Sequence, residues 1–195
     1  MRGIVVGTGR SGTGYVHKVL CEAGVHCGHE QVFTPNGAVN PAPLEMDSSW
    51  MAVPYLSAHP GTPVILVHRH PLAVISSFLG IGFFDDDGQT EHSQYRKFLY
   101  AKNPRLKGMS PWDAACEHYC DWNEKALRYA TLVTELDDLD WAGICKEIDL
   151  DYTLTAAAIP NVSQTHNHRP RANVDPNLVP ARVWETRAEL MEASS

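Results

Sequence analysis

The segment Gly7-Thr8-Gly9-Arg10-Ser11-Gly12-Thr13-Gly14 places glycines at four of eight positions, with hydroxyls at Ser11 and Thr13 and a fixed positive charge at Arg10. It follows the apolar run Gly3 to Val6 and precedes the helical pattern Tyr15 to Ala23, so it lies at a strand-to-helix junction. Successive backbone N–H groups in such a turn, backed by a helix N-terminus, bind tetrahedral anions with little help from side chains. The glycines allow the close approach and dihedrals that this requires.

Two familiar forms of this loop fit in part. As a Walker A loop, Gly7 to Gly12 is followed by Thr13-Gly14, without the phosphate lysine or the magnesium hydroxyl in their usual places. As a dinucleotide fingerprint, Gly7-x-Gly9-x-x-Gly12 matches, and Glu30 stands about twenty positions further on. A glycine-rich junction that serves only tight packing is a third alternative.

A second motif bears on the choice. The apolar stretch Pro63 to His68 reads as a buried strand, and Arg69 stands at its end, Pro71 in the first turn of a helix and Ser77 eight positions after the arginine. The two motifs together resemble the PAPS-dependent sulfotransferase family. There the first motif binds the 5′-phosphosulfate and the second the 3′-phosphate. The resemblance covers residues 3 to 20 and 64 to 79, and extends to the pair Trp122-Asn123.

The resemblance implies an α/β, three-layer fold with a parallel central sheet flanked by helices, of the P-loop NTPase-like sulfotransferase type. Gly9, Arg10, Ser11, Gly12, Thr13 and Gly14 would cradle the 5′-phosphosulfate, and Arg69 and Ser77 would hold the 3′-phosphate. Gly14 departs from the family, which more often has a hydroxyl there. The family's late basic loop suggests that Arg169 and Arg171 fold over the cofactor, although its later glycine-rich pattern is not found here.

Sulfuryl transfer needs a base for the acceptor and positive charge on the leaving oxygen. Arg10 can supply the charge. Gly28-His29-Glu30 ends the second expected strand, which begins near Val25, on the same sheet edge as the loop. Glu30 is preferred to His29 as base, because a nearby phosphosulfate would raise a carboxylate's pKa while Arg10 counterbalances it. Glu30 pairing with Arg10 or Lys18 is the alternative, and Asp47 is a further candidate base. The expected activity moves a sulfuryl group from PAPS to a hydroxyl or amine on a small-molecule or carbohydrate-like acceptor, releasing PAP. A divergent P-loop nucleotide-binding protein or kinase is the alternative.

Strands interleaved with helices imply a parallel sheet covered on both faces. A fourth strand is expected at Thr131 to Thr134, and helices at Leu72 to Leu79, from Ser110-Pro111 onward, at Leu139 to Ile148, Tyr152 to Ala158 and Arg182 to Glu192. Residues 80 to 108 read as a surface insertion on the substrate side, with local helix near Gln94 to Tyr100 and the aromatics Phe83, Phe84, Tyr95, Phe98 and Tyr100.

The chain of 195 residues, 44% apolar, suits one domain with a substantial core. Its net charge of −7 disfavours a nucleic-acid or acidic-membrane surface, so an anion must be held by a local site. Five cysteines without a C-x-x-C pair suggest reduced thiols and a soluble cytoplasmic protein. No apolar run approaches the roughly 18 residues of a membrane helix. Asp85-Asp86-Asp87 reads as a solvated turn and His166-x-His168 lacks partners at zinc spacing, so no metal is expected.

Overall fold

The computed structural model describes residues 1–40, 42–85, 92–162 and 171–195. Five parallel strands form one sheet: β1 (Gly3–Val6), β2 (Cys27–His29), β3 (Met46–Ser48), β4 (Val64–His68) and β5 (Leu132–Glu135), in the order β2-β3-β1-β4-β5. Helices α1 (Thr13–Glu22), α2 (Pro71–Gly80), α3 (Ser93–Lys102), α4 (Pro111–Leu127), α5 (Trp141–Glu147), α6 (Tyr152–Ala158) and α7 (Ala181–Ala193) connect and cover it. A 3₁₀ segment, Trp50–Ala58, leads from β3 towards β4. The fold is thus α/β, as the motif order implies.

The central strands are short and wholly buried because both sheet faces are covered. Alternation along them divides the core. Ile4, Val6, Val64 and Leu66 pack with residues of α2, α4, α7 and the 3₁₀ segment, whereas Val5, Ile65 and Val67 face Val16, Val19 and Leu20 of α1 and Trp141 and Ile144 of α5. Ser110 caps α4 as its sequence predicts, accepting a hydrogen bond from the Asp113 amide, with Pro111 in the first turn.

Two expectations change. Met46–Ser48 is a strand that the sequence reading does not contain; at three residues its apolar content is one methionine, and its place between β1 and β2 comes from backbone pairing. Residues 80 to 108 are more than surface. Phe83, Phe84, Phe98, Leu99 and Leu106 lie in the larger core cluster, and the buried Arg96 guanidinium donates to the carbonyls of Phe83 and Asp85. Asp86 and Asp87 lie outside the described residues. All five cysteines are free, and Cys27, Cys116, Cys120 and Cys145 are buried. Among the described residues no helix is long and apolar enough to cross a membrane.

His118 on α4 is fully buried among Trp50, Phe78, Phe84 and Trp122, with ring centroids 5.0–6.2 Å away, and neither ring nitrogen has a hydrogen-bond partner among the described residues. Burial, with a smaller push from Lys125, lowers its pKa to about 3. Between that value and the ordinary 6.5 the unfolded chain binds a proton that the folded chain refuses, so stability is lost as pH falls below 6.5. His68, lowered to about 4 by burial, acts in the same direction, whereas Glu30, raised to about 6, acts in the opposite one. The stability gap between His118→Phe and the parent should therefore shift in favour of the variant by up to about 1.4 kcal/mol for each pH unit below 6.5. Denaturant titrations at pH 7.5, 6 and 5 measure it, and a gap independent of pH would contradict a neutral, buried imidazole.

Candidate functional site

A parallel sheet in this order has its switch point between β1 and β4: after β1 the chain goes to the β2–β3 side, and after β4 to β5. Ligands of open α/β sheets bind in the crevice beyond the strand ends at such a point. A cleft of about 510 Å³ lies there, lined by the β1–α1 loop, the end of β2, Arg69 after β4, Ser77 and Phe78 in the second half of α2, and residues Trp50, Tyr95, Leu136, Asp137 and Arg171. Its volume suits a small-molecule ligand.

The loop after β1 is built by close approach. A side chain at Gly7 would collide with the Val67 carbonyl of β4 and the Ser11 hydroxyl. Gly12 precedes α1 in the left-handed region, at φ 109°, and gives it no side-chain cap; a Cβ there would strike Leu136 from the segment after β5. The opening amides of α1, at Thr13 and Gly14, have no partner inside the helix and lie at the cleft. Thr8 Oγ1 and Ser11 Oγ are buried without a hydrogen-bond partner among the described residues. This arrangement favours an anion at the positive end of the helix.

The second motif meets the first. Arg10 Nε donates to Ser77 Oγ at 2.9 Å, joining groups 67 positions apart. Ser76, one residue earlier, instead turns its hydroxyl back to the Ala73 carbonyl, so Ser77 is the serine of the cleft. Arg69 lines the same cleft, and its Nε is buried without a partner among the described residues. Its pKa is lowered first by desolvation and then by Arg171, while Asp137 works the other way. Arg171 reaches this place because the next residue is tied down: the Ala172 amide donates to the Ser76 carbonyl at 3.0 Å. Two guanidiniums with one opposing carboxylate nearby favour a multiply charged anion. Arg169, His166 and His168 lie outside the described residues.

Glu30 and His29 also line the cleft. Glu30 follows β2 with φ 59° and Arg10 has φ 73°, a left-handed backbone that is uncommon for residues other than glycine and is held only by surrounding structure. Burial raises the Glu30 pKa to about 6; the polar groups of nearby Tyr95 and Trp50 oppose the rise, and nearby Asp47 adds to it. His29 stacks near His17, at 5.5 Å, and burial together with His17 and Lys18 lowers it to about 4. Asp47 is committed elsewhere, because its carboxylate accepts the amides of Gln31, Val32 and Phe33 at 3.2 Å and shapes the turn after β2.

The structure thus brings Gly9, Arg10, Gly12, Thr13, Gly14, His29, Glu30, Arg69, Ser77 and Arg171 to one cleft, with Ser11 buried beneath the loop. Trp122-Asn123 lies in the core instead, where Trp122 Nε1 donates to the Trp50 carbonyl at 2.7 Å. Leu136, Asp137 and His92 are cleft residues that the sequence reading does not contain. They belong to loops whose place depends on pairing of β4 with β5 and on the packing of α3, and carry no local motif. Among the described residues no group of three or more His, Cys, Asp or Glu side chains could hold a metal ion.

Gly7→Ala tests the loop's construction directly. Because the clash is with backbone and a buried hydroxyl, the variant should lose about 1–3 kcal/mol of stability, measured by denaturant unfolding; a neutral substitution would mean that the loop can move away from β4.

Compared with family models, curated proteins and solved structures, the chain finds no match, which leaves its own residues to carry the assignment of function.

Proposed function

We propose that the chain is a PAPS-dependent sulfotransferase with a P-loop-like nucleotide site, which transfers a sulfuryl group to a hydroxyl or amine acceptor and releases PAP. The observation that carries this reading is the meeting of the two motifs, Arg10 Nε on Ser77 Oγ, in a cleft that also contains Arg69 and Arg171. Such a cleft offers two anion sites: the glycine loop with the α1 N-terminus, and the pair Arg69 and Arg171 beside α2. A nucleotide phosphorylated at both its 5′ and 3′ positions needs two.

An orphaned donor and the cleared loop fit that ligand. Arg69 Nε, in the cleft, is buried without a protein partner among the described residues, and the cradle at Gly7 and Gly12 is kept clear of side chains. PAPS would bring the activated sulfuryl group. Arg10 would stabilise the negative charge that grows on the bridging oxygen as its bond to sulfur breaks. Glu30 would take the acceptor's proton as the new bond to sulfur forms, and the bridging electron pair would leave with the phosphate of PAP. A carboxylate with a pKa of about 6 is ionised at neutral pH and a stronger base than an imidazole lowered to about 4, which favours Glu30 over His29.

Calorimetry with PAP and ADP tests the two anion sites. PAP should bind more tightly, and Arg69→Ala should weaken PAP by about 1.5–3 kcal/mol while leaving ADP nearly unaffected. Stabilisation by magnesium ATP alone would instead favour a P-loop kinase or another nucleotide-binding protein. Glu30→Gln should retain PAP binding and lose transfer of label from PAPS to an acceptor in cell extract. In the parent, the transfer rate should rise with pH through about 6 and level off above it, because the base works only when ionised. A rate that rises through about 4 would make His29 the base.

A further inference from the structure

Leu136 belongs to neither motif, yet it contacts the segments that carry both. It follows β5 in a tight turn, in which the Asp138 amide donates to the Glu135 carbonyl at 3.0 Å and the Glu135 carboxylate pairs with Arg187 at 3.0 Å. The Leu136 amide donates to the His68 carbonyl at 2.8 Å, so its main chain is pinned to the residue before Arg69. Its side chain lies against the glycine loop, where Cγ and both Cδ atoms occupy the space that a Cβ on Gly12 would need. Gly12 has a left-handed backbone and no side chain to anchor it, so Leu136 is a packing partner that limits its movement towards β5. Leu136 also lines the cleft. One residue therefore spans the interval between the loop and the strand end that carries Arg69.

We infer that Leu136 is a specificity-determining residue that fixes the separation between the two anion sites, so that the cleft prefers a nucleotide phosphorylated at 3′ and 5′ to its isomer phosphorylated at 2′ and 5′. It rests on reading the cleft as a PAPS site. The two isomers contain the same atoms and carry the same charges, and differ only in where the second phosphate sits. Charge alone does not tell them apart, because Arg69 and Arg171 attract either. Geometry does, provided that the two sites cannot shift relative to each other to suit the wrong isomer. A close-packed wedge removes that freedom. Leu136 is such a wedge because its two attachments differ in kind: its main chain is hydrogen-bonded to the end of β4, and its methyl groups pack on the loop after β1. Shortening the side chain releases the loop while the bond to His68 stays.

Calorimetric titration of the parent and of Leu136→Ala with PAP and with adenosine 2′,5′-bisphosphate tests this. The parent should prefer PAP by about tenfold or more, and Leu136→Ala should narrow the ratio to about threefold or less. Leu136→Met, which conserves the bulk, should keep the parent's ratio. Leu136→Val, with a shorter side chain, should give an intermediate ratio and serves in place of Leu136→Ala should that variant fail to fold. A ratio that stays at the parent's value in the shortened variants, even with both affinities lowered together, would overturn the inference and leave the PAPS reading standing. A parent without a preference for PAP over its isomer would sink the PAPS reading and the inference with it.

Discussion

Parallel pairing of β1 with β4 is the constraint on which the rest depends. The register sets Val5 beside Ile65 and Val6 beside Leu66, so the two strands end side by side, with Gly7 against the Val67 carbonyl. A side chain larger than hydrogen at position 7 has no room, and the loop can lie flat across the strand ends only because none is there. From that contact the loop carries Arg10 across to α2, and β4 delivers Arg69 and the start of α2 to the same edge. The cleft is a consequence of how two buried strands terminate.

The site also concentrates unfavourable features that the fold must offset. Two left-handed residues, a half-desolvated arginine beside another arginine, and a half-buried carboxylate close to a second one all occur within it. Each costs free energy, and none improves packing. The interior around it is dense and aromatic: Trp50, Phe78, Phe84, His118 and Trp122 form one cluster behind the cleft wall. Strain of this kind persists where the surroundings overdetermine the geometry.

Much of this architecture was legible in the sequence for a physical reason. Gly7 to Gly14 and Arg69 to Ser77 are local motifs, each attached to a buried strand whose apolar run is unambiguous, and two such strands imply a shared edge. Glu30 was legible because it ends a strand. What escaped were residues whose role depends on long-range packing. Met46–Ser48 is too short for a pattern and is a strand by virtue of its neighbours. Leu136 and Asp137 reach the cleft through the pairing of β4 with β5. Nothing in the spacing of Tyr95 and Trp50 places them beside Glu30 in the cleft.

The buried Arg96 has a wider meaning. Its guanidinium does not pair with the cleft's anion sites but fastens α3 to the turn at Phe83 and Asp85, two pieces of the same excursion from the sheet. The excursion is therefore cross-braced by its own members, while the glycine loop and α2 are braced by the strands. That brace does not make the excursion separable: Phe83, Phe84, Phe98, Leu99 and Leu106 share a core cluster with Val6 of β1 and Leu66 of β4, so whatever reshapes the cleft wall also bears on the strands that shape its floor.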